Sequence, residues 1–210
     1  MPKIKTLLIT GSTGQLGQSI KMIATDYPNY NFVFATRQQL DLNDDESIAA
    51  FFQNNIFDVI INCAAHTSVD KAESEADLAN QINHLAVKQL ADIVQQQNTK
   101  LIHISTDYVF NGKQYRPYIE TDDVEPQSTY GKTKLNGEQA IQNSLKTNAL
   151  IIRTSWVYSE YGNNFVKTML KLGDERDSLN VIFDQVGTPT YAGDLAKAIM
   201  SVVQSDDFSQ

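Results

Sequence analysis

Residues 7–20 read LLITGSTGQLGQSI. An apolar run leads into Gly11, Gly14 and Gly17, and an amphipathic stretch follows. Glycines three apart at a strand-to-helix turn have distinct uses. The first permits a sharp turn, the second lets backbone approach a pyrophosphate, and the third packs the helix closely on the strand. The helix start then offers unpaired amides to phosphate oxygens. Thr13, Gln15 and Leu16 lie between these glycines and belong to the same candidate cofactor loop. An ordinary glycine-rich turn is the alternative, and the order of elements around it favours the nucleotide site.

Outward from this loop, short apolar runs alternate with longer amphipathic stretches. The runs predict strands over Ile4–Thr10, Phe32–Thr36, Phe57–Cys63, Lys100–Ser105, Ala149–Thr154 and Leu179–Phe183. DVIIN and KLIHIS are continuous rather than alternating, as in strands covered on both faces. Helices are expected over Gln15–Thr25, Asp44–Asn54, Asp77–Gln97, Tyr130–Leu145, Asn164–Leu172 and Tyr191 to about Gln204. This βαβα order predicts an α/β fold, a doubly wound parallel sheet of Rossmann type. Residues 1–210 form one such domain in this reading. Phe110–Gln127 is the longest irregular stretch and follows a strand end, where a binding loop would lie.

Composition narrows the partners. The net charge of −8 argues against a nucleic-acid partner, which needs a basic surface. A single cysteine, Cys63, allows no internal disulfide and fits a reducing compartment. The apolar start is too short for a signal segment, and no stretch approaches a membrane span. A cytoplasmic protein with no membrane partner is expected.

The second strand ends VFATRQQ, with no carboxylate to hold a ribose. Arg37 stands there instead, and an arginine can pair with a 2′-phosphate. NADPH, or else NADH, is therefore the expected cofactor, an ordinary exposed arginine being the other reading of Arg37. Asp41 and Leu42, in QLDLND, are candidates for the adenine end. Asp41 can instead cap the next helix.

The fourth strand ends LIHISTDYVF, and ligands in open α/β sheets sit beyond such strand ends. Ser105, Thr106 and Asp107 are thus placed to meet a substrate. STYGKTKLNG, residues 128–137, then carries Tyr130 and Lys134 four apart, on one helical face. Reduction of a ketone by hydride leaves an alkoxide that needs a proton. Tyr130 can supply it, Thr106 can orient the carbonyl, and Lys134 as a cation can make the phenol more acidic. His84 and His103 lack metal-ligand company, and no metal is assigned.

GSTGQLG, STDYVF and YGKTK together resemble the extended short-chain dehydrogenase/reductase family. NCAAHTSVDKAE, STDYVFNG, YGKTKLNGE, RTSWVY, GNNFVKTML and DQVGTPT are similar, more narrowly, to its dTDP-4-dehydrorhamnose reductases. The resemblance implies reduction of a dTDP-linked 4-keto sugar, with Thr106, Tyr130 and Lys134 as the catalytic triad. It implies Ala64 and Ala65 along the cofactor. It places Thr67, Val69, Asp107, Tyr108 and Trp156 at the sugar nucleotide, with 156–190 on the substrate side. Asn83 matches an asparagine that orients the lysine through water, or it is a satisfied buried amide. Trp156 alternatively fills core, and His66 packs or bonds backbone.

Two departures accompany the resemblance. Relatives continue past residue 210, so the C-terminal substrate lobe is expected to be incomplete. Some relatives dimerise through a metal held by an acidic residue on the first helix, and Ser19 occupies that position, leaving a homodimer open. A dehydratase or epimerase of the same fold is one alternative, although Asp107–Tyr108 replaces the Asp-Glu pair of dehydratases. A non-catalytic dinucleotide-binding subunit, resembling the regulatory subunit of methionine adenosyltransferase, is the other.

Overall fold

The computed structural model describes residues 4–182 and 184–208. Five parallel strands, β1 (Lys5–Thr10), β2 (Tyr30–Phe34), β3 (Val59–Asn62), β4 (Lys100–Thr106) and β5 (Ala149–Thr154), lie in the order β2-β1-β3-β4-β5. The chain order reverses between β1 and β3, the crevice where doubly wound sheets hold their ligands.

The helices are α1 (Gln15–Ile23), α2 (Asp45–Gln53), α3 (Val69–Ser74), α4 (Ala76–Asn80), α5 (Ala86–Gln97), α6 (Thr129–Ser144), α7 (Phe165–Glu175) and α8 (Ala192–Ser205). A short parallel pair, β6 (Val157–Tyr158) and β7 (Thr190–Tyr191), stands apart from the main sheet.

Side-chain alternation along the strands divides the core. Leu8, Ile60 and Leu101 face α2, α5 and α6, while Leu7, Ile9, Val59, Ile61 and Ile102 face α1 and α8. Apolar residues at every strand position are therefore needed, which is why the runs read as continuous. Asp44 caps α2, accepting from the Glu46 and Ser47 amides, and Asn164 caps α7 through the Lys167 amide.

Three expectations are corrected. The strand expected over Leu179–Phe183 is absent across 179–182, and Phe183 lies outside the described residues. Val181 and Ile182 are exposed there, and an apolar run becomes a strand only where a neighbour takes its backbone bonds. The second strand lies two residues earlier than expected, over Tyr30–Phe34, because its pairing with Lys5–Ile9 fixes its ends. The expected helix 77–97 is α4, a π-helical turn (Gln81–Leu85) and α5 in sequence. Helix α3 and the β6–β7 pair were not foreseen.

Candidate active site

The glycine loop is pressed against the start of the segment after β3. Gly11 has φ +59°, and a Cβ there would meet the Ala64 backbone at 2.8 Å. A Cβ on Gly17 would come within 2.6 Å of the Gly11 carbonyl and the Ser12 Cα. Gly14 opens α1 with no side-chain cap, and Thr13 and Gly14 are exposed. This is a bare backbone cradle at a helix start, a fit for an anionic pyrophosphate. Leu16 turns its side chain into the core, so it offers the cradle only backbone. Gln15 reaches the other way. It donates to the Val157 carbonyl at 3.2 Å and accepts from Ser159 (3.2 Å) and Asn164 (2.9 Å). One side chain thus joins the cofactor loop to the segment beyond β5.

At the end of β2, Arg37 is exposed and paired with Asp41, Nε to Oδ2 at 3.2 Å. Asp41 does not cap α2. Its second oxygen accepts from the Asn43 amide at 2.9 Å, so it shapes the turn and holds the guanidinium. Leu42 is in the core, leaving only its backbone near this edge.

Thr106 ends β4, and a 3₁₀ turn (Asp107–Val109) follows at once. The Thr106 hydroxyl accepts from the Tyr108 amide at 3.2 Å and donates to Asp107 at 3.1 Å. Helix α6 begins directly on this turn because Gly131 has no Cβ. One would collide with the Tyr108 carbonyl. That approach sets Tyr130 edge-on to Tyr108, with ring centroids 5.5 Å apart, and brings its hydroxyl to Thr106. Burial pushes the Tyr130 phenol up to about 12, the Thr106 hydrogen bond works against this, and Asp107 and Tyr108 add to the rise. Burial likewise raises Asp107 above the usual carboxylate range, and it raises Tyr108, with Asp107 adding to that.

Lys134 lies one turn along, on the expected face, but its ammonium is engaged elsewhere. Nζ donates to the Ile104 carbonyl at 2.7 Å and lies 3.2 Å from His103 Nε2. The side chain is 1% exposed. Burial lowers Lys134 to about 8, against the pull of Glu138. Tyr130 is therefore not made acidic by the lysine in this arrangement. The expected electrostatic pairing gives way to the attraction of a buried carbonyl.

Asn83 is a satisfied buried amide. It accepts from the His66 amide (2.9 Å) and donates to the His66 carbonyl (3.0 Å) and the Thr133 hydroxyl (3.2 Å). It ties the segment after β3 to α6 without reaching Lys134. Ala64 and Ala65, partly buried, lie on that segment beside Gly11, and Thr67 is exposed just beyond. Val69 packs with Ala72, Ala79 and Tyr130. His66 bonds Glu75 at 3.0 Å, while its Nδ1 is buried without a partner. His84 bonds Asn80 one helical turn back. Trp156 is 38% exposed at φ +48°, packed edge-on against Phe165, and does not fill core. Ser19 is buried and donates to the Gln15 carbonyl. Among the described residues, no group of three or more His, Cys, Asp or Glu is placed to hold a metal.

Two features have surroundings that the sequence reading did not foresee. Glu138 is buried behind the site, held bidentately by Arg153 (2.6 Å at the shorter contact) and bonded by Ser105. Its signal was its place four residues after Lys134, on the same helical face. His103, in KLIHIS, is fully buried between Asn62 and Lys134. Nothing in a continuous apolar strand marks such a residue.

The family model described as RmlD substrate binding domain matches residues 5–209. A dTDP-4-dehydrorhamnose reductase of Aggregatibacter actinomycetemcomitans is 42% identical over 94% of this chain and 67% of its own length. The crystal structure of such a reductase from Clostridium acetobutylicum superposes with a TM-score of 0.90 at 44% identity, covering 95% of this chain and 70% of that one. The enzyme from Bacillus anthracis, solved in complex with NADP, gives 0.91 at 38% identity, covering 97% and 72%. The chain spans about two thirds of the length of the curated relatives it matches. No helix among the described residues is long and apolar enough to cross a membrane.

Proposed function

The chain belongs to the RmlD substrate binding domain family, and from that premise we propose that it reduces the 4-keto group of dTDP-4-dehydro-L-rhamnose to dTDP-L-rhamnose with NADPH. The observation that carries the reading is the meeting of Thr106 and Tyr130 at the end of β4, with only β3 between it and the β1 end that carries the glycine cradle. NADPH, when bound, supplies the hydride. Gly11, Gly14 and Gly17 would hold its pyrophosphate, and Arg37 would face its 2′-phosphate.

The chain's own groups handle the oxygen. Thr106 donates to the carbonyl and fixes its direction. Tyr130 gives its phenolic proton to the oxygen as the sugar carbon becomes an alcohol. An alkoxide is a stronger base than a phenolate, so transfer from a phenol near 12 runs toward the sugar. Lys134 supplies the cation of the site and a donor for the nicotinamide ribose. Tyr108 lies on Tyr130 where a dehydratase would need a second carboxylate, which favours reduction over elimination. Thr67, Val69, Asp107, Tyr108 and Trp156 take the sugar nucleotide in this reading. Residues 156–190 form its substrate side, tied to the cofactor loop by Gln15.

The test is consumption of NADPH by the chain with dTDP-4-dehydro-L-rhamnose, with the product identified as dTDP-L-rhamnose. Saturable NADPH binding without turnover of the sugar would favour the non-catalytic reading. Loss of neither ligand nor hydride in any assay would reject both.

A further inference from the structure

Four polar side chains make one row across the buried face of the sheet. Thr10 on β1 stands beside Asn62 on β3, Asn62 beside His103 on β4, and His103 against Lys134 on α6. The row begins directly under the glycine cradle, since Thr10 precedes Gly11.

Its hydrogen bonds have a fixed direction. Asn62 Oδ1 accepts from the Thr10 hydroxyl at 2.6 Å and from the Ala64 amide at 3.3 Å. A backbone N–H can only donate, and the Ala64 amide stands 3.3 Å from both Asn62 Oδ1 and the Thr10 hydroxyl; with the Asn62 oxygen on this side, its nitrogen faces His103. Asn62 Nδ2 is 3.1 Å from His103 Nδ1, which therefore accepts. The proton of the neutral ring is then on Nε2, pointing at Lys134 Nζ 3.2 Å away. Burial, with the lysine's own charge adding to it, keeps the ring neutral well below its usual range. A ring N–H is welcomed by the lone pair of an amine and opposed by an ammonium.

We infer that His103, aimed by Asn62, is the positioning residue of Lys134. It fixes where Nζ rests and confronts it with a ring N–H, which favours the amine over the ammonium beyond what burial alone does. The inference rests on the reductase reading for its meaning, because Lys134 is the cation of that site. It assigns a task to a histidine that touches neither cofactor nor substrate.

The other groups around Nζ do not supply this. On α6, Glu138 favours the ammonium, but Arg153 from β5 holds its carboxylate. Asp107 and Tyr108, on the 3₁₀ turn, act on Tyr130. From the π-helical turn packed on α6, Asn83 bonds α6 at Thr133 and the His66 backbone, and all of these groups are neutral.

The test is a titration of lysine ε-carbon NMR signals in the whole chain, with Lys134 assigned by the signal lost in Lys134→Arg. The wild-type midpoint is expected near 8. Asn62→Asp keeps the shape and both bonds at Oδ1, but sets a carboxylate oxygen against Nδ1. The ring proton moves to Nδ1, and Nε2 becomes an acceptor for the ammonium. The Lys134 midpoint should rise by about one unit or more, a tenfold gain in proton affinity. His103→Phe keeps a ring and removes both nitrogens, and in that background Asn62→Asp should lose more than half its effect. A midpoint that Asn62→Asp leaves in place, or one that shifts equally with and without the imidazole, overturns the inference. Should Asn62→Asp not fold, His103→Gln carries the same test: it can turn an amide oxygen to Nζ, and an unmoved midpoint overturns the inference. None of these readouts needs turnover. A chain that shows the shifts yet reduces no dTDP-sugar rejects the reductase reading alone.

Discussion

Tyr130 and Lys134 lie one turn apart on α6, yet their polar ends face different partners. The phenol meets Thr106, and Nζ is 2.7 Å from the Ile104 carbonyl. The same helical face thus sends one polar group to the strand end and buries the other behind it.

Tyr130→Phe keeps the ring, its packing on Tyr108 and the close start of α6. It removes the proton. We expect kcat to fall about 100-fold or more, the usual cost of a lost general acid, with NADPH affinity little changed. Steady-state kinetics and a cofactor titration check it. Normal turnover with Phe at 130 would remove the tyrosine from the chemistry.

The lysine makes a prediction about stability. Its proton leaves the folded chain at about 8 and the unfolded chain near the ordinary 10.5. Below 8 both states hold it, and the slope is zero. Between these values only the unfolded chain holds it, so folding is favoured as pH rises. Wild type should therefore gain stability relative to Lys134→Met from about pH 8 to 10, by denaturant titration. Tyr130 acts oppositely at higher pH, because its folded value of about 12 lies above the ordinary 10. A flat difference between the two proteins across this window contradicts the buried lysine.

Arg37 is paired with Asp41, and in the proposed reading it also faces the phosphate at the adenine ribose. Asp41→Asn releases it, and NADPH should gain on NADH several-fold. Arg37→Asp should reverse the preference, by about tenfold or more for a lost charge-assisted pair. Paired Kd measurements for the two cofactors decide this, and an unchanged ratio in both variants dismisses Arg37.

Gly17→Ala puts a Cβ against the Gly11 carbonyl and the Ser12 Cα, both backbone that cannot swing aside. We expect a loss of about 1–3 kcal/mol, as for overpacking elsewhere, together with weaker dinucleotide binding. Thermal unfolding and cofactor titration would show it. Gly173→Ala, with nothing within 4 Å of the added atom, is the control that should leave cofactor binding alone.

Much of the site was legible because its signals are local. The glycine spacing, the strand end at Thr106 and the four-residue step from Tyr130 to Lys134 each depend on one turn of chain. The apolar run at 179–182 misled because strand formation is not local. It requires a partner strand, and none lies beside those residues.

The sequence by itself determined the alternation of strands and helices, the glycine turn between β1 and α1, and the residues that reach the strand ends. Backbone sterics and hydrophobic period dictate these within a few residues. Only the tertiary structure decided the strand order and the clamp of Asn83 on His66 and Thr133. It alone set Asn62, His103 and Lys134 in one row, drawn from β3, β4 and α6. Which nitrogen of His103 bears a proton depends on the Asn62 amide on the neighbouring strand. The lysine's charge then depends on burial, which no single segment carries.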